Sequence, residues 1–87
     1  MEGLVHAFLG HTYLELQRED QAITCYREAL NVHREARYRR GEEGALISLS
    51  EVYEKLEQPH KMRKCLDAAQ ILRGGGYYDL TRLLEEL

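Results

Sequence analysis

Four histidines, two cysteines and a run of arginines are the residues of this chain best equipped for chemistry. A metal site would draw on the first two groups, but His6, His11, His33 and His60 are scattered. His6 and His11, separated by one helical turn and a fraction, point about 140° apart around a helix rather than along one face. No His-Glu-x-x-His motif and no ligand-spaced Cys/His set occurs, so no metal site is expected. Cys25 and Cys65 form no Cys-x-x-Cys pair. They read as small apolar groups at equivalent helix positions, kept as reduced thiols. Packed helices lie about 8–10 Å apart, too far for a bridge whose Cα atoms must come within roughly 7 Å. Ser48 and Ser50 flank Leu49 without a His–Asp arrangement to activate them. Gly74 to Gly76 share only their glycines with a phosphate-binding loop, lacking the strand before and the Gly-Lys-Ser/Thr after. No enzyme and no cofactor is expected.

The basic run His33 to Arg40, with Lys61, Arg63 and Lys64 beyond, raises nucleic-acid binding, which needs several cations on one face. Glu28, Glu35, Glu42 and Glu43 interleave with it, and the chain's net charge is −3. The run is therefore expected to be a solvated outer face, with Glu28 pairing to arginines further along its helix. A nucleic-acid partner is not expected. Glu2 stands where a signal peptide carries positive charge, and His6 and His11 interrupt the first apolar stretch. Nothing approaches the roughly 20 apolar residues of a membrane span. No membrane partner is expected, and the reading is of a cytoplasmic protein.

The elements that position these residues are helical. At 87 residues with one Pro and no Trp, the chain is one small domain with a thin core. Val5, Phe8, Leu9, Tyr13 and Leu16 are spaced as one helical face. Ala22, Ile23, Tyr26, Ala29 and Leu30 outline a second helix, expected to reach Tyr38 and to stop at Gly41, with Glu42 and Glu43 opening the next. Ala45, Leu46, Leu49, Val52, Tyr53 and Leu56 outline the third, and Met62, Cys65, Leu66, Ala69 and Leu72 the fourth. Pro59 suits a first helical turn, where its missing N–H costs nothing. The Gly74–Gly76 run ends the fourth, and Leu80, Leu83, Leu84 and Leu87 outline a short fifth. Short connectors make neighbours antiparallel.

The chain repeats itself. Leu9, Tyr13, Leu16, Cys25 and Ala29 return at one constant shift as Leu49, Tyr53, Leu56, Cys65 and Ala69. Gly10 matches Ser50, and these small residues are expected to let paired helices approach closely. Leu9-Gly10-x-x-Tyr13, followed by Ala22, Tyr26 and Ala29, resembles the tetratricopeptide repeat. His6 and Leu46 stand where that family opens with an aromatic, and its closing Pro is absent from both copies. In the second copy Met62 and Leu66 replace the small and aromatic positions. The period of 40 is similar to that of the family's longer-helix variants, and Tyr38 to Ala45 resembles their hinge. The resemblance implies an all-α fold: two helix hairpins (3–40 and 43–73) in a right-handed array, or solenoid, plus a capping helix at 78–87.

What the resemblance implies for function is a non-enzymatic scaffold that binds a protein or peptide. First helices would line a concave groove, here through Leu4, Ala7, His11, Leu14 and Glu15, then Ile47, Glu51, Glu54 and Lys55. The implied ligand has apolar anchors and some basic character. Family members that clamp chaperone carboxylate tails use Lys and Asn where this chain has Ala7, His11, Ile47 and Glu51, so that use is not expected. The capping helix covers the second hairpin, while the edge at Leu4, Val5 and Phe8 has no cover. Either the chain is the C-terminal part of a longer array, or that edge makes it a self-associating homodimer.

Overall fold

Three turns of one design set the architecture. The computed structural model describes residues 2–87, with side chains from Val5 onward. It contains α1 (Glu2–Glu15), α2 (Glu19–Glu35), α3 (Arg39–Lys55), α4 (Pro59–Arg73) and α5 (Leu80–Glu86). Gln17, Arg37 and Glu57 each take a left-handed conformation, φ 57–59°. In each turn the next residue's N–H reaches back five: Arg18 to Tyr13 O, Tyr38 to His33 O, Gln58 to Tyr53 O, at 2.8–2.9 Å. The left-handed residue donates three back, to Leu14, Arg34 and Glu54 O. This is the Schellman closure, which satisfies carbonyls orphaned at a helix end.

The second turn corrects the expected boundary. α2 ends at Glu35 and α3 begins at Arg39, so the second hairpin starts before residue 43 and the 38–45 stretch is no hinge. Gly41 lies in the first turn of α3 for a packing reason. A Cβ there would sit 2.5 Å from the His33 imidazole and 2.6 Å from the Tyr38 ring. Gly75 (φ 91°) repeats the closure at the end of α4, as the glycine run led one to expect. Pro59 stands in the first turn of α4. Asp79 caps α5, accepting from the Arg82 N–H at 3.1 Å.

All described elements are helical: α1 packs on α2, α2 on α3 and α3 on α4. The core is built from the middle of that stack, with Ala22, Tyr26, Ala29 and Leu30 on α2 and Ala45, Leu46, Leu49 and Val52 on α3. Cys65, Ala69 and Leu72 continue it on α4, and Leu80 and Leu83 on α5. Gly10 is the close-approach point expected of it, since a Cβ there would lie 2.8 Å from the Tyr26 ring. Two expected core faces are only partly buried. Val5, Phe8, Leu9 and Leu16 of α1 are exposed, and so is Leu66 of α4. Among the described residues no element covers them: α1 flanks one side of the stack, and α5 packs along another face of α4.

α5 presents Leu80 and Leu83 inward with Leu84 and Leu87 half-buried, and Arg82, Glu85 and Glu86 face outward. It packs along α4, with Lys64 paired to Glu86, and is tied to α2 by Arg27 donating to Leu84 O at 3.2 Å. It thereby links both hairpins. The α3–α4 flank beside Ile47, Leu66 and Gln70 remains an open cleft of about 610 Å³.

Candidate functional site

Where α1 meets α3, small side chains leave a cleft of about 400 Å³. α1 contributes Ala7 and His11; α3 contributes Gly41, Gly44, Ala45 and Ser48. On a helix, positions 41, 44, 45 and 48 fall at intervals of three, one and three and share one face. A Cβ at Gly44 would meet nothing within 4 Å, so the floor is open space as well as small.

Buried polar groups underlie this floor. Tyr26 is fully buried and its hydroxyl has no hydrogen-bond partner. Burial pushes the phenol above its ordinary pKa, and the Ser48 hydroxyl works in the opposite sense. His11 meets the Tyr26 ring edge-on, centroids 5.5 Å apart. At the other end of the cleft His33 is buried and edge-on to Tyr38 at 5.4 Å. Burial lowers the His33 pKa, against an opposing pull from Glu42, so the imidazole is neutral near pH 7. Arg40 lines the same end and is exposed. The cleft can therefore hold a small apolar or hydrogen-bonding group, with one cation beside it.

The residues expected in the groove divide. Ala7 and His11 line the cleft. Glu15, Glu51, Glu54 and Lys55 are exposed on the same two helices. Leu14 is instead half-buried against the core, since α1 uses it to pack. Ile47 lies on the other side of α3, in the cleft shared with Arg63, Leu66 and Gln70 of α4. The side chain of Leu4 lies outside the described residues. Gly41, Gly44, Ser48, His33, Tyr38 and Arg40 join the site without having been expected there. The spacing of the small residues was their only sequence signal, and it reads equally as helix packing.

The basic run is a solvated face only in part: Arg37, Arg40 and Arg63 are exposed, while Arg34 and Arg39 are half-buried. Arg34 grips the buried Glu42 carboxylate at 2.7 Å and donates to Tyr78 O at 3.3 Å. Arg39 donates to Leu72 O and Gly76 O at 2.9 and 2.7 Å and stacks on the Tyr77 ring, 4.3 Å from its centroid. These arginines fasten the glycine-rich segment to the junction between hairpins. The ion pairs among the described residues, Arg34–Glu42, Arg73–Glu43 and Lys64–Glu86, run between helices, so Glu28 forms no pair along α2. Among the described residues no three His, Cys, Asp or Glu side chains gather as a metal site would require. No helix among them is long and apolar enough to cross a membrane. Both thiols are free; Cys65 is buried as expected, but Cys25 is only half-buried.

Residues 5–34, from the exposed face of α1 through most of α2, match the family model described as the tetratricopeptide repeat. No curated protein and no solved structure matches the chain.

Proposed function

We propose that this chain, whose residues 5–34 match the tetratricopeptide repeat, a repeat that mediates protein–protein contacts, is a non-enzymatic binding module holding a peptide or helix between α1 and α3. The observation that carries this reading is the cleft between α1 and α3, floored by Gly41, Gly44, Ala45 and Ser48. An apolar side chain fits such a floor. Glu15, Glu51 and Glu54 along the exposed helix faces favour a ligand with Lys or Arg beside that anchor. The free thiols Cys25 and Cys65 are in keeping with a reducing, cytoplasmic setting.

The test is selection of displayed random peptides against the whole chain. Recovered peptides should combine an apolar anchor with basic residues, and Gly44→Arg should weaken them at least roughly tenfold, about 1.4 kcal/mol. Gly44 is exposed, so the variant keeps its fold. Peptides that bind wild type and Gly44→Arg equally would refute the groove. A competing reading, self-association through α1, is favoured by the exposure of Val5 and Phe8. Light scattering of wild type and Phe8→Glu decides whether such a dimer forms.

A further inference from the structure

The internal repeat shows what the exposed stripe of α1 is shaped to meet. Val5, Leu9, Thr12 and Leu16 correspond to Ala45, Leu49, Val52 and Leu56 of α3. In α3, Ala45 is 3% exposed and Leu49 and Val52 are 0%. In α1, Val5 is 57%, Leu9 40% and Leu16 59% exposed, with Phe8 beside them at 71%. Gly10 faces α2, the partner within its own hairpin. Its counterpart Ser50 accordingly belongs to the α4 side of α3, which leaves Ala45, Leu49 and Val52 for α2. What covers that stripe in α3 is thus the second helix of the hairpin ahead of it, through Ala22, Tyr26, Ala29 and Leu30.

We infer that the α1 stripe is the docking face for the second helix of another hairpin of the same repeat design, presenting small and apolar residues in the order found on α2. A copy of this chain does not offer that face. Its α2 is already covered, and on α4 the counterparts of Ile23, Leu30 and His33 are Arg63, Gln70 and Arg73, all exposed. Stacking copies head to tail would set these groups against Leu9 and Phe8 and strip water from charge. In sequence register Glu2 is the counterpart of Glu42, the carboxylate that α3 offers to an arginine of the preceding second helix. The docking hairpin is expected to supply the matching arginine. This surface is separate from the groove, so the inference holds whether or not the groove takes a peptide.

The test builds the occupant from the chain itself, by fusing residues 1–40 in register ahead of the full sequence. A second fusion carries Phe8→Ser in the middle copy, restoring the Ser48 pattern opposite Tyr26 and guarding against a steric misfit. At least one fusion should be monomeric by light scattering and unfold in one transition. Its Tm should lie roughly 5–10 °C above the parent's, with slower amide exchange in the covered α1. Two outcomes overturn the inference. In one, the added segment melts separately in both fusions and the parent transition does not move. In the other, the unfused chain is a dimer that Phe8→Glu splits while neither fusion gains stability, which assigns the stripe to a second α1.

Discussion

Arg34 and Glu42 join the end of the first hairpin to the start of the second. Nη2 and Nε of Arg34 donate to Oε2 of Glu42 at 2.7 and 2.9 Å, and Nε also lies 3.1 Å from Oε1. The carboxylate is buried, and this guanidinium is the cation paired with it. Removing the arginine alone strands that charge, and Arg34→Met should cost about 3 kcal/mol or more. Pairing it with Glu42→Leu should recover most of the loss, because two apolar groups need no partner. Urea unfolding of the single and double variants measures the difference. Equal stability of the two would show that Glu42 finds other solvation.

Gly41 and Gly44 sit on one face of one helix and should respond oppositely to alanine. At Gly41 the new methyl collides with His33 and Tyr38, and Gly41→Ala should lose about 1–3 kcal/mol. At Gly44 it enters open space, and Gly44→Ala should gain about 0.5–1 kcal/mol from helix propensity. Thermal unfolding of the two variants checks both signs.

The His33 imidazole has its pKa lowered by burial from an ordinary value of 6.5. Its neutral form is the folded one, so the unfolded chain binds the proton first as pH falls. Stability should be complete above 6.5 and decline below it, until the folded pKa is reached. Unfolding midpoints measured between about pH 7.5 and pH 5, the range a histidine spans, should trace that decline. His33→Gln should flatten the curve.

Glu57 takes φ 58° without being glycine. Glu57→Val should lose about 1 kcal/mol or more, since a β-branched residue resists that conformation. Glu57→Gly should hold or gain slightly, its relief of strain partly offset by a freer unfolded chain. Chemical denaturation of the pair is the measurement.

The Cys65 thiol is pushed up to about 12 by burial, while Cys25 is half-buried. Burial and the nearby Glu28 also raise the Cys25 thiol, so a disulfide reagent at neutral pH should label Cys25 of the native chain slowly and Cys65 only on unfolding. Simultaneous labelling of both would contradict the burial of Cys65 beneath the core.

Legibility in the sequence followed what each residue answers to. The helices were readable because their apolar spacing is local, and the hairpin pairing because Leu9, Tyr13 and Cys25 recur in register as Leu49, Tyr53 and Cys65. The α2–α3 boundary was misplaced because glycine is the usual helix terminator, whereas here Arg37 adopts the left-handed turn and Gly41 serves packing. In the site, Ala7 and His11 were legible through the resemblance to the tetratricopeptide repeat. Ile47 was not, since its cleft is made with Arg63, Leu66 and Gln70 of α4, on the other side of α3. Nor was the role of Arg34 and Arg39, whose partners Tyr78 and Gly76 lie far along the chain.

Gln17, Arg37 and Glu57 are evenly spaced along the chain, so one rod plus its bend is the module from which the molecule is counted out. Every bend reverses the direction of travel. Excising a single module would leave all downstream rods pointing the wrong way, whereas excising or inserting two restores both heading and phase. Length changes in such a molecule are tolerable only in even numbers.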